Sequence, residues 1–523
     1  MSLDPAATPT TGAPELGNAA SSPTAHPPDV EALAIDQGLD RTTLAQLVAC
    51  ARARGATRQQ LSGVLRQACS RLARLRNDET GDPASELPDS EVAAAVARAH
   101  EALQAGPAFS LEKADRSFGQ ALARCLEQDA IRPGITASVA AAQAEAAALR
   151  QDHRRAAELY AQAAGTPGLT VAAQWWFQYA RAGVLEELGR EYGDNEALGE
   201  AVDLYEERVL PLAPRHERPD DWSATQHRLG NALGILGQRR RGIRLLERSV
   251  AAFENALRER SPDHSPLDWA ATWHDLGNAL GILAQRQGDT DMLERAVSAF
   301  ESALQAGTRQ QTPHDWAMTQ YHLGTALLTL GQLTRDTSAL ARSIGAYRQA
   351  LQEWPPERAP FDWARTQNCL GTALRVRGEQ GGDPRELEQA VTAHRSALSV
   401  WTREQRPEEW AVTQNNLGAA LHRLGERAND TRYLGEALAA YGSALQELRR
   451  EDGPIAWAMT TANLGDVRRI LAERTGDVEM SRQAVSDFQA VAEVFHEASH
   501  PRYYQLAKEK LAVARELAAE LAV

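Results

Sequence analysis

Cysteine is scarce in this chain of 523 residues, and the four that occur (Cys50, Cys69, Cys125 and Cys369) stand far apart with no Cys-x-x-Cys pair. That spacing supports neither a disulfide framework nor a zinc site, and it fits a reducing cytoplasm. No apolar run reaches the roughly 18 residues that a membrane-spanning helix needs. Long basic runs are missing, and the formal charge is −14. Nucleic acid is therefore not an expected partner, because gripping a phosphate backbone takes clustered Lys and Arg. Neither a phosphate loop, G-x-S-x-G nor a dinucleotide glycine pattern occurs. The expectation is a protein without catalytic residues and without a cofactor.

What the chain does contain favours helix: Ala, Leu, Arg, Glu and Gln dominate, and these are good helix formers. Residues 1–30 are the exception. They are rich in Pro, Ala, Ser, Thr and Gly, too poor in apolar surface to offset the cost of ordering, and read as a disordered tail. Lacking a basic start and an apolar stretch, they are not a secretory signal.

A repeat of 47 residues then takes over. Trp222, Trp269, Trp316, Trp363, Trp410 and Trp457 follow one another at that interval, with Trp175 one step upstream and Tyr504 one step downstream. Eight residues after each Trp stands a glycine, from Gly183 through Gly465, and three before stands a proline, from Pro219 through Pro501. Proline suits the first turn of a helix, where its missing N–H costs nothing. Acids two residues later, such as Asp268 and Asp315, complement the positive helix end. Ser265 and Thr312 are expected to act as capping-box residues there. A first helix, A, thus starts at the proline and carries W-A-x-T-Q-x-x-L-G-x-A-L. Its glycine implies close approach of another helix.

A second helix, B, opens at Asp289, Asp336, Asp383, Asp430 and Asp477, a preferred N-cap residue. It carries small, aromatic and small residues in turn, as in Ser343, Tyr347 and Ala350. The expected fold is all-α, a solenoid of antiparallel helix pairs, each burying its apolar face on its neighbours. Residues 131–174 read as a divergent pair, 175–503 as seven full repeats and 504–523 as a capping helix. The region 31–130 is helical, with helices at 40–54, 57–76, 89–105 and 110–127. It reads either as divergent repeats and a cap or as a small adaptor domain.

Leu-Gly in helix A with Ala, aromatic, Ala in helix B resembles the tetratricopeptide repeat, whose usual period is 34 residues. Long-repeat bacterial arrays and kinesin light chain repeats are the most similar in pattern, and Thr413-Gln414-Asn415-Asn416-Leu417-Gly418 carries that likeness best. The resemblance implies a right-handed superhelix whose A helices line a concave groove for a peptide or protein segment. Outward A-helix positions, five, six, nine, twelve and thirteen residues after the Trp, would then hold the ligand. The candidates are His227, Asn231, His274, Asn278, Tyr321, His322, Asn368, Arg375, Asn415, Asn416, His422, Asn463 and Arg469. Asn and His donate and accept hydrogen bonds; as an alternative, the same residues simply face solvent or brace neighbouring helices. Beside a binding scaffold stand two other readings: a sensor or adaptor acting on a separate effector, and a self-assembling structural protein.

The tryptophans in register are expected in the core, whereas Trp176, Trp273 and Trp401, out of register, are candidates for exposure. His496 and His500 lie four apart, a spacing that suits a metal on a helix, but no third ligand is apparent and no metal is expected.

Overall fold

The computed structural model describes residues 40–56, 60–72 apart from 62, 66, 69 and 70, 90–104, 110–127, and 133–522 apart from 308 and 382. The tail expected at 1–30 lies outside the described residues. Among those described there is no strand, and no helix is long and apolar enough to cross a membrane. They fall into two compact units, one running to Leu283 and one starting at Ala284.

The first unit opens with α1 (Arg41–Ala53), which turns at Gly55, φ 87°. A second helical stretch lies within 61–72. Next come α2 (Ser90–Ala102), α3 (Leu111–Glu127), α4 (Pro133–Leu149) and α5 (His153–Ala164). The repeats begin with α6 (Val171–Tyr192) and α7 (Asn195–Leu204), the latter continued by a wide π turn over Tyr205–Val209. Helices α8 (Pro219–Arg239) and α9 (Ile243–Ala256) follow, and α10 (Pro266–Gln287) carries the chain past Leu283. In the second unit A and B helices alternate: α11 (Thr290–Ala306), α12 (Pro313–Thr334), α13 (Thr337–Glu353), α14 (Pro360–Gly381) and α15 (Pro384–Leu398). It closes with α16 (Pro407–Ala428), α17 (Thr431–Ala444), α18 (Pro454–Thr475), α19 (Val478–Glu497) and α20 (Pro501–Glu520).

Local chemistry explains each boundary. From α8 on, every A helix starts on its proline. The expected capping box is not formed at Thr312, whose side chain makes no capping bond; with Pro313 supplying no N–H, one of the four orphan donors is already gone. B helices are capped as expected: Asp289, Asp336, Asp383, Asp430 and Asp477 each accept a backbone N–H of the first turn. Helix α9 departs from this, with Gly242 at its start and no side-chain cap. At the other end of the A helices, arginines serve the last carbonyls of the preceding A helix. Arg239 donates to Gly189 O at 2.5 Å and Arg190 O at 2.8 Å, Arg427 to Gly378 O at 2.9 Å, and Arg474 to Gly425 O at 3.2 Å. A cation there also answers the negative end of the helix dipole.

Packing within a repeat centres on two glycines of the A helix. At the first, the aromatic ring of the following B helix lies where a side chain would stand. A Cβ built on Gly230 would sit 2.7 Å from Phe253, on Gly324 2.8 Å from Tyr347, and on Gly418 2.9 Å from Tyr441. At the second, seven residues on, a leucine fills the same role, as Leu340 does at Gly331 and Leu434 at Gly425. The first row was legible in the sequence. The second was not singled out, though Gly237, Gly331, Gly378 and Gly425 keep the same interval from the Trp.

Tryptophan placement differs from expectation. Of those in register only Trp175 is fully buried; the six from Trp222 to Trp457 are half-buried near the starts of their helices. Arginines cover several of them: Arg215 over Trp222 at 5.2 Å, Arg309 over Trp316 at 5.5 Å, Arg403 over Trp410 at 5.8 Å and Arg450 over Trp457 at 6.0 Å. The first three of these arginines also pair with Glu259, Glu353 and Glu447. Two repeats lack the clasp, because they carry Pro262 and Pro356 in place of the arginine; in the last one Arg450 pairs with Glu493 and Glu497. Trp401, expected to be exposed, is 6% exposed and packs on Ala364 and Ala397. Its equivalent Trp354 packs on Ala317 and Ala350 in the same way, at the end of a B helix. Trp273 is half-buried, whereas Trp176 is exposed, as expected.

Upstream of the repeats, Arg71 reaches from the stretch 61–72 to Glu145 of α4 (2.6 Å) and to Glu187 of α6. Gly63, two turns earlier, lies against Glu191, so this stretch crosses the first repeats on one stripe of its own surface. A buried arginine between two carboxylates is costly to break, because losing one partner strands a charge.

Candidate functional site

Positions five and six residues after the Trp lie where one A helix meets the next. In the first unit, His227 Nδ1 lies 3.2 Å from Thr272 Oγ1, and its Nε2 is 3.3 Å from Asn231 Nδ2 and 3.5 Å from Asp275 Oδ2. Burial pushes His227 down to about 3, with Arg260 and Arg228 adding to the effect. A neutral ring with its proton on Nδ1 donates to Thr272 and accepts from Asn231. Burial, with Glu186 as a like charge, pushes Asp275 up to about 7. His274 and Asn278 on α10 are half-buried on the same helix, and burial holds His274 at about 4.

The second unit repeats the arrangement with other residues. Tyr321 Oη is 3.7 Å from Cys369 Sγ in the next A helix. Asn416 Nδ2 donates to Asn368 Oδ1 at 3.1 Å, and His394 Nδ1 of α15 lies 3.0 Å from that same oxygen. His322 lies beside Phe300 and Tyr321. Farther along the helices is a chain of charge pairs. Arg375 donates to Glu379 at 2.6 Å, Arg423 reaches both Glu379 at 3.3 Å and Glu426 at 2.7 Å, and Arg469 donates to Glu473 at 3.1 Å.

The outward exposure expected of these positions is not what the side chains show. Arg375, Asn415, His422 and Asn463 are buried, and the other nine candidates are half-buried. Most turn sideways into the seam between A helices. Residues that the sequence reading passed over take part as well. Glu186 is fully buried and meets Tyr205 Oη at 2.9 Å and Arg228 Nε at 3.1 Å, and Asp466 pairs with Lys510. A glutamate on the packed face of α6 was the signal available for the first.

One further pattern, His496-Glu497-Ala498-Ser499-His500, has the H-E-x-x-H spacing that a zinc protease carries on one helix. Here α19 ends at Glu497, Ser499 has φ 54°, and His500 precedes Pro501 as the cap of α20. The two imidazoles therefore do not share a helix face. Among the described residues no group of three or more His, Cys, Asp or Glu is arranged to hold a metal.

Residues 410–449, which are α16 from its Trp together with α17, match the family model of the tetratricopeptide repeat. No curated protein sequence matches the chain. Among solved structures, similar chains include BtubC from P. vanneervenii, at 20% identity over 46% of this chain and 92% of that one, with a TM-score of 0.33. Another is the apo form of RapI, at 12% identity over 73% and 97% with a TM-score of 0.38. A third is a putative kinesin light chain with nearly identical repeats from Podospora anserina, at 24% identity over 41% and 95% with a TM-score of 0.28.

Proposed function

We propose that this chain, in which residues 410–449 match the tetratricopeptide repeat, is a non-catalytic interaction scaffold, taking up a peptide or protein segment along its A helices. One observation carries the reading. Consecutive A helices of the second unit carry hydrogen-bonding side chains at matching positions (Tyr321, Asn368 and Asn415), set in the seams between the helices, so that polar groups recur once per repeat along the A helices. Polar groups in register along an array can follow a chain of regular spacing, one repeat after another. They fix orientation, and the apolar rest of a ligand supplies most of the affinity.

The test is site-specific photocrosslinking of the full chain in its native cell extract. A benzophenone side chain at Thr372, on the A face, is expected to capture discrete peptides of a partner. The same group at Arg342, exposed on a B helix, is expected to capture none of them. Crosslinks confined to the B-helix position would sink the proposal.

A further inference from the structure

We infer that the turn joining α8 to α9 is a docking surface for a short acidic segment of a partner protein, whose carboxylates are taken up by Arg240, Arg241 and Arg244 around Ile243. The turn lies past the end of α8, away from the A-helix positions considered above, so this surface stands or falls apart from them. Over residues 238–248 the chain carries five arginines and one glutamate, a net charge of +4 in a protein whose formal charge is −14. The same window in the five later repeats runs only from −3 to +1. Packing of the repeat does not ask for the charge, since the other turns are built without it.

Two of the five arginines are engaged within the fold. Arg239 holds the carbonyls of Gly189 and Arg190, and Arg248 pairs with Glu206. Arg240, Arg241 and Arg244 are exposed, and their guanidinium groups meet no carboxylate among the described residues. The carboxylate that other repeats supply at this point is missing as well. Gly242 stands where they carry Asp289, Asp336, Asp383, Asp430 and Asp477. Ile243, between the arginines, is 41% exposed, and the later repeats have Thr, Pro or Val in its place.

The partner's chemistry follows from these groups. A guanidinium takes a carboxylate through parallel N–H donors, and three of them spread over one turn suit several carboxylates strung along a chain. Ile243 offers an apolar contact to a side chain between those carboxylates. A flat anionic lipid surface fits less well. Arg239 also reaches Asn195 Oδ1 at 3.4 Å, which sets the α6–α7 turn alongside. That turn carries Asp194, held by Arg154 at 3.1 Å, and the exposed Glu196, and an anionic surface laid across both turns would repel them. Lipid-binding clusters also use about four to eight basic residues, more than the arginines left free here.

The experiment measures fluorescence anisotropy of labelled peptides on the full chain: a run of Glu and Asp with a central Leu, and the same run with Gln and Asn in place of the acids. Only the acidic peptide is expected to bind. Its affinity should fall about tenfold or more when Arg240→Gln, Arg241→Gln and Arg244→Gln are combined, each exposed pair accounting for roughly two- to fivefold. Between about 0.05 and 0.5 M NaCl it should also fall, as screening weakens exposed charge contacts. Gly242→Asp restores a carboxylate and gives α9 a cap, so it is expected to weaken binding severalfold without lowering the melting temperature. It carries the test should the triple variant melt lower. Arg335→Gln, at the matching turn position with φ 59° against 52° for Arg241, is expected to leave binding unchanged. Equal binding of the two peptides, no binding of the acidic one, or binding undiminished in the triple variant and in Gly242→Asp overturns the inference. Binding to phosphatidylserine vesicles without peptide binding assigns the patch to lipid and overturns it too. So do dimers seen by light scattering that the triple variant abolishes, again without peptide binding, because they assign the patch to a second copy.

Discussion

Replacing Gly418 by Ala places a methyl group 2.9 Å from the Tyr441 ring, and one of the two helices must shift to admit it. The expected cost is about 1–3 kcal/mol, as for overpacking of a tight core. Gly345→Ala is the matched control: it lies on the exposed side of α13 with nothing within 4 Å, and is expected to gain up to about 1 kcal/mol of helix propensity. Urea-unfolding midpoints of the two variants distinguish the outcomes. His394 takes the ring position that Phe or Tyr fills in the repeats around it, and burial holds it at about 3, against an ordinary value of 6.5. Its folded pKa is depressed, so the unfolded chain takes up a proton that the folded chain refuses. Stability is therefore full above the ordinary value and falls as pH drops through it toward the folded one. His227, His274 and His422 are shifted in the same direction. His394→Phe is expected to stabilise the chain by up to about 2 kcal/mol near pH 5, and by much less near pH 8. Equal gains at both pH values would contradict the assignment. The glycine and proline rows were legible because each serves a backbone or packing need at a fixed place in every repeat. The bonds of Asn368 were not, since its partner Asn416 lies 48 residues away and no local pattern reveals the pairing.

At the scale of the helix, the B helices differ in how they begin. Asp336 accepts the N–H of Ser338 at 2.8 Å, and Asp336→Ala is expected to cost about 1 kcal/mol. Helix α9 lacks this device. Gly242 sits there with extended backbone and no cap, beside Arg240, Arg241 and Arg244. Gly242→Asp is expected to gain a few tenths of a kcal/mol, since Asp improves only slightly on Gly at this position. Hydrogen exchange of the first-turn amides of α9 reads the change directly, and unchanged exchange would refute it. Helix ends were readable because capping chemistry is local, within three residues of the boundary. The burial of Trp401 was not readable: its place outside the register marked it for exposure, whereas the end of α15 turns it onto Ala364 and Ala397.

For the molecule as a whole, nearest-neighbour contacts make stability close to a sum over repeats. Deleting residues 313–406 removes two repeats and joins Thr312 to Pro407 in the original register. Arg309 then meets Glu447 at the offset Glu353 held before, and the shortened chain is expected to fold with fully native helix content by circular dichroism. Deleting 313–359 alone removes one repeat and brings Trp363 to the place of Trp316 but Val400 to that of Glu353, so Arg309 keeps a ring and loses its carboxylate. A half-exposed ion pair is worth at most about 1 kcal/mol, less than a repeat with its interface, so the shorter deletion is expected to remain the more stable of the two, and the reverse order would refute the additive picture. The Arg–Trp–Glu clasp thus sorts otherwise equivalent repeats into two kinds, those with an arginine seven residues before the Trp (Arg215, Arg309, Arg403 and Arg450) and those with Pro262 or Pro356 there. A copied stretch of the array keeps its clasp only where the cut leaves such an arginine facing a glutamate of the next B helix, so identical spacing does not make the repeats interchangeable.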